Sequence, residues 1–271
     1  MTDSDEIANR HHPPRMVLLD AVGTVIRPQP SVAAAYHAVG LKHGVQVSQG
    51  EIERRFREAI LRHSVRNFAQ NLPTHDSASG PLPADKTAST EETLLATDPH
   101  NERQRWRAIV SHVFRAPTDL IESIFHDLWE YFAQPSSWRP FDDVAPLVRE
   151  LQRRGYEVGV ASNFDDRLPP IIEHYFARFE LLVFVSSELG SVKPSRQFFT
   201  EIESRTGLSP AELLLVGDDE ENDYHAPRAA GWQACLVGRN PAKSENPRGQ
   251  IPPSDVVGDL CDLLQRLPMR S

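Results

Sequence analysis

The stretch Met16-Val-Leu-Leu-Asp-Ala-Val-Gly-Thr24 decides the fold. Its first four residues are apolar, the fifth is a carboxylate, and a glycine-containing turn follows. A short apolar run closed by turn residues reads as a buried strand. In an open α/β sheet, ligands bind outside the carboxyl ends of the strands, so Asp20 is the first candidate site residue.

Downstream of Pro140 the same pattern recurs. Apolar runs at 157–162, 181–186, 213–216 and 234–237 alternate with helical patterns at 144–154, 167–174, 196–206, 224–230 and 259–267. Strand alternating with helix at this spacing predicts an α/β, Rossmann-like, mostly parallel sheet covered on both faces. Residues 28–135 read differently. Apolar positions recur at helical spacing over 32–43, 49–63, 103–115 and 119–132, which predicts a helical cap inserted into a core made of 16–27 and 136–271. Within it, 71–102 carries four prolines and few apolar residues, so a flexible insertion is expected there. Residues 1–15 read as a disordered tail. Trp106, Phe114, Phe125, Trp129 and Phe132 fall at helical spacing and read as cap core, with a cap or dimer surface as the alternative.

Composition narrows the function classes. The chain has 271 residues, 39% hydrophobic and 25% charged, enough for a substantial core. Its formal net charge of −9 offers no attraction to nucleic acid or to an anionic membrane. No run of 18 apolar residues occurs, and the polar start does not read as a signal peptide, so the expected compartment is the cytoplasm. Cys235 and Cys261 lie too far apart in sequence for a cysteine-rich metal cluster, and two thiols make no disulfide scaffold. A monomer or a homodimer is compatible with all of this. A small anionic substrate would need local positive charge from a metal, a lysine or helix N-termini.

Four polar segments fall at the expected strand ends: Asp20 to Thr24, Ser162-Asn163, Lys193-Pro194, and Gly217-Asp-Asp-Glu-Glu-Asn-Asp223. Taken singly, each has an ordinary reading as a cap, a turn, a surface lysine or a solvated acidic loop. Together they place Asp20 beside Asp218 on neighbouring strands, a like-charge cluster that is costly without a cation between them. Oxygen-only ligands point to Mg²⁺. Lys193 would offset the remaining charge, and Ser162 with the N–H groups after it could hold an anion.

These segments, in this order over 16–231, resemble the four motifs of the haloacid dehalogenase-like hydrolase superfamily. The resemblance is closest in RPFDDVAPLVRELQRRGYEVGVASNFDDRLPPII, SSELGSVKPSRQFF and LLLVGDDEENDYHAPRAAGWQACLV, all within 138–237. It implies that Asp20 is the nucleophile of a covalent aspartyl intermediate. Ser162 would bond the transferring group, with a backbone donor from Asn163, while Lys193 orients the nucleophile. Asp20, the Val22 carbonyl and Asp218 would ligate Mg²⁺, supported by Thr24, Asp219 and Asp223. The cap would close over the site and select substrate.

Position 22 departs from the phosphatase pattern, which places a general acid–base aspartate there. Valine cannot transfer a proton, and such a group is worth about 10²–10⁴-fold. Three accounts therefore stand side by side. The chain hydrolyses a phosphate monoester in an impaired or altered way, with acid help from Asp219 or elsewhere. Alternatively it is a 2-haloacid dehalogenase, whose halide leaves without a proton. The third account is a binding or structural relative that kept the fold without catalysis.

Overall fold

The structure is a computed structural model that describes residues 13–63, 95–239 and 251–270. The chain enters through β1 (Met16–Leu19), turns, and forms β2 (Ile26–Pro28). Among the described residues four helices follow: α1 (Val32–Lys42), α2 (Gln49–Arg62), α3 (Pro99–Phe114) and α4 (Thr118–Ala133). β3 (Trp138–Pro140) then pairs antiparallel with β2. The remainder alternates α5 (Val144–Arg153), β4 (Glu157–Ser162), α6 (Leu168–Phe176), β5 (Leu181–Val185), α7 (Ser186–Leu189) and α8 (Arg196–Thr206). It ends with β6 (Leu213–Gly217), α9 (Ala226–Ala229), β7 (Gln233–Val237) and β8 (Val256–Val257).

The main sheet is parallel with order β5-β4-β1-β6-β7-β8, so the first strand sits at its centre. Side chains alternate across a strand, and β1 shows the consequence. Val17 and Leu19 join a cluster with Leu147, Leu151, Ile171 and Ile172 of α5 and α6. Met16 and Leu18 join the opposite cluster with Phe198, Phe199 and Ile202 of α8. All four β1 residues are at most 1% exposed, which is why this strand reads as a continuous apolar run rather than an alternating one. After β1 the chain builds β4 and β5 on one side, then β6 to β8 on the other. The order thus reverses beside β1, where α/β sheets open their ligand crevice.

Helices α1 to α4 bury a core of their own, centred on Tyr36, Ile52, Ile109, Val113 and Ile124. Each of the first three starts at a side-chain cap. Ser31 accepts from Ala34 N–H, Ser48 from Glu51 N–H, and Asp98 from Asn101 N–H at 2.8 Å. The Asp98 cap corrects the expected insertion at 71–102. Residues 99–102 form the first turn of α3, Pro99 takes the first helical position, and Glu102 is buried against Thr97 and Arg105. Residues 71–94 of that expectation lie outside the described residues, as do residues 1–12 of the tail expected over 1–15; its last residue, Arg15, is instead tied down, its N–H donating to Glu212 O at 2.7 Å.

Other differences are local. The predicted helix at 259–267 is a 3₁₀ segment, Leu260–Gln265. The one at 224–230 begins earlier, with a wide π-type turn over Glu220–His225 that leads into α9. The β2–β3 ladder, three residues a side, is too short to announce itself in sequence. No helix among the described residues is long and apolar enough to cross a membrane.

Candidate active site

Asp20 leaves the end of β1 with its N–H bound to Val216 O at 2.8 Å, which ties it to β6. Its Oδ1 accepts a hydrogen bond of 2.8 Å from Lys193 Nζ. The same ammonium donates to Asp223 Oδ1 at 2.6 Å and to Ala161 O at 3.2 Å. Lysine has three N–H donors, and all three have partners here although the residue is only 3% exposed. Burial by itself lowers the pKa of Lys193, but the charges of Asp20 and Asp223 outweigh it and hold the ammonium above its ordinary range. Asp223 goes the other way to a usual ion-paired carboxylate. Burial raises it and Asp20 adds to the rise, against the opposing pull of Lys193.

Asp218 completes the cluster at the end of β6. One carboxylate oxygen from each of Asp20, Asp218 and Asp223 lies within 4.8 Å of the others. Two glycines make this approach possible. A Cβ on Gly23, whose φ is +100°, would stand 2.5 Å from Asp218 Oδ1, and one on Gly217 would stand 2.2 Å from Asp223 Oδ2. The wide turn at Glu220–His225 carries Asp223 inward, where its Oδ2 accepts from Asp219 N–H at 3.1 Å. Among the described residues, three carboxylates gather beside one ammonium. An oxygen-only donor set of this kind fits a hard divalent cation such as Mg²⁺.

The remaining predicted residues separate into distinct places. Ser162 is the last residue of β4 and is buried. The Asn163 side chain clamps the lysine loop: its Oδ1 accepts from Lys193 N–H at 2.8 Å and its Nδ2 donates to Lys193 O at 3.0 Å. Thr24 is fully buried below the turn, its Oγ1 has no partner among the described residues, and its carbonyl accepts from Arg239. Asp219 lies outside the carboxylate cluster, exposed, capping the wide turn through Asn222 N–H at 2.9 Å. Val22 is 38% exposed, bridges to Ile26, and lines a cavity between the sheet and helices α1 to α4.

That cavity, about 750 Å³, was not foreseen from the sequence. Lys193 and Asn163 line it, which makes it continuous with the carboxylate site. Trp106, Phe125, Trp129 and Phe132, expected to be cap core, also form its wall, whereas Phe114 stays in the core of α1 to α4, stacked on Tyr36. Arg167 was missed as well. Asp165 holds it at two points, both 2.7 Å, and its guanidinium lies 3.5 Å over the Trp129 ring. An Asp and an Arg two apart just after Ser162-Asn163 were the available signal.

A family profile described as haloacid dehalogenase-like hydrolase matches residues 14–231. Haloacid dehalogenase-like hydrolase domain-containing protein 3 of Mus musculus is 25% identical over 260 residues, covering 94% of each chain. A phosphoserine phosphatase of Thermus thermophilus is also 25% identical, covering 92% of this chain and 97% of its own. Among solved structures, a defluorinating L-2-haloacid dehalogenase superposes with a TM-score of 0.66 at 17% identity, covering 94% of this chain and 95% of its own. The magnesium-bound HAD-hydrolase YfnB of Bacillus subtilis gives 0.62 at 19% identity, covering 94% and 99%.

Proposed function

The chain belongs to the haloacid dehalogenase-like hydrolases, and from that membership we propose that it is a Mg²⁺-dependent hydrolase of a phosphate monoester, with Asp20 as nucleophile. The observation that carries this reading is the gathering of three carboxylates, Asp20, Asp218 and Asp223, with Lys193 bonded to the first and third of them. A site for a monoanionic haloacid gains nothing from a third carboxylate. A site for a phosphoryl group gains a cation holder.

Asp20, Asp218 and the Val22 carbonyl would hold the ion, which when bound would offset the negative charge of carboxylates and phosphoryl oxygens. Lys193 donates to one Asp20 oxygen and so fixes the orientation of the carboxylate that would act as nucleophile. The Ser162 hydroxyl and the Asn163 N–H would bond the phosphoryl oxygens. Asn163 acts additionally through its side chain, since it sets the position of the lysine loop. Asp219 is assigned to holding the turn rather than to proton transfer. Helices α1 to α4 would act as the cap that closes over the site and selects substrate.

Dehalogenation is the second reading, favoured by Val22, because a halide leaves without a proton. One assay separates the two: phosphate release and halide release from panels of phosphate esters and 2-haloacids, each with and without Mg²⁺. Mg²⁺-dependent phosphate release, lost in Asp20→Asn, is expected. Metal-independent halide release without phosphate release would overturn the proposal, and release of neither would point to a relative without catalysis.

A further inference from the structure

The cavity behind Val22 says more about the substrate than the carboxylates do. We propose that the site takes the phosphate monoester of a flat, apolar aromatic alcohol, a phenol or naphthol, whose oxygen departs unprotonated as the oxyanion. The proposal rests on the phosphatase reading and adds the nature of the leaving group.

Size comes first. A cavity of about 750 Å³ falls in the range of sites that enclose whole organic ligands, and a phosphoryl group with a two- or three-carbon polar tail would occupy a small part of it. The walls come second. Phe56 and Trp106 stack at 26° with centroids 6.3 Å apart, and Phe125 and Trp129 follow from α4. Aromatic walls favour a ring that can stack or meet them edge-on.

Charge is the third observation. The cavity has three cationic side chains among the described residues, and each is already matched by a carboxylate. Arg105 donates Nε and Nη2 to Glu102, at 3.1 and 2.9 Å. Arg167 is held bidentate by Asp165, and Lys193 by Asp20 and Asp223. What the guanidinium groups offer the cavity is their planes: Arg167 lies over Trp129 and Arg105 lies 5.3 Å over Trp106. Glu221, exposed and also in the lining, adds negative charge. Among the described residues a second anionic group on the substrate would meet no unmatched cation, so a leaving group bearing a carboxylate is disfavoured.

Val22 supplies the chemical half. Two residues after Asp20, it lines the cavity that would receive the leaving group, and it has no proton to give. The Asp20 carboxylate oxygen bonds to phosphorus as the bond from phosphorus to the leaving oxygen breaks, and the electron pair departs on that oxygen. An aryl oxide carries that charge into its ring, whereas an alkoxide cannot. Water then adds to phosphorus, inorganic phosphate leaves, Asp20 returns as carboxylate, and the water proton passes to solvent.

The test uses the full chain with Mg²⁺ and two substrate sets: 4-nitrophenyl, phenyl and 1-naphthyl phosphate against phosphoglycolate and phosphoserine. The aryl esters are expected to be preferred. Turnover should fall steeply as the phenol becomes a weaker acid, by on the order of 10²-fold across a substituted series, the share a proton donor would otherwise supply. Trp106→Leu keeps an apolar side chain but removes the plane, and should weaken 1-naphthylmethylphosphonate, read by tryptophan fluorescence, about tenfold. Better hydrolysis of phosphoglycolate or phosphoserine than of any aryl ester overturns the proposal and leaves the phosphatase reading standing. A flat dependence on phenol acidity overturns it too, by revealing a proton donor. Hydrolysis of no ester removes both.

Discussion

Lys193 sets the charge balance of the site, because its one ammonium is bonded to two carboxylates and a carbonyl out of water. Removing one partner of a buried ion pair leaves an uncompensated charge, at a cost of about 3–5 kcal/mol. Lys193→Met should therefore lower stability measurably in denaturant titration and abolish turnover, while Lys193→Arg fails to restore it, since a planar fork cannot place three N–H groups on these three acceptors. Asn163→Ala removes two bonds to the lysine loop and is expected to reduce kcat more than it raises KM, which steady-state kinetics would show. Gly217→Ala has a purely steric prediction. Its Cβ would overlap Asp223, so activity should fall with Asp223 displaced, at a cost of about 1–3 kcal/mol.

Among elements, α3 links packing to the site. Asp98 begins it, Glu102 and Arg105 pair one turn later, and Trp106 faces the cavity. Asp98→Ala should cost about 1 kcal/mol by loss of the cap, seen as a lower melting temperature. The wide turn over Glu220–His225 is the other decisive element. Ordinary α-helical spacing was expected to begin at 224, and the π-type turn is what brings Asp223 to Lys193 while Asp219 stays outside as the cap. Periodicity could place the long helices because their buried faces repeat; it could not reveal a six-residue turn whose purpose is to aim one side chain.

At the scale of the molecule, protons and cations act on stability with definite signs. Asp143 joins the start of α5 to Arg239 at 2.7 Å and to Leu260 N–H at 2.9 Å. Burial pushes its pKa up, but these partners outweigh it and hold the carboxyl below its ordinary value. The folded state therefore binds this proton less readily than the unfolded chain. Stability from Asp143 is complete above the unfolded value, near 3.9, and is lost as pH falls through the folded one. Acid unfolding of Asp143→Asn should show a shallower pH slope than wild type. The carboxylate cluster behaves oppositely: mutual repulsion there is relieved by a cation, so Mg²⁺ should raise the melting temperature, by the equivalent of about 2.7 kcal/mol at a hundred times its dissociation constant. Asp218→Asn should lose most of that gain in the same thermal scan.

What the sequence determined by itself was the mostly parallel sheet, the buried strand at 16–19 and the carboxylates Asp20 and Asp218 that follow its strands. These follow from local rules: a doubly buried strand must be a continuous apolar run, and its polar terminus must lie at the carboxyl end of the sheet. The tertiary structure alone decided that Asn163 clamps the lysine, that Asp219 is a cap, and that several cap aromatics wall a cavity. A ring buried in a helix core and a ring lining a pocket obey the same spacing. Only the packing of cap against sheet distinguishes them, because it sets whether the space opposite the ring is filled by protein or left for a ligand.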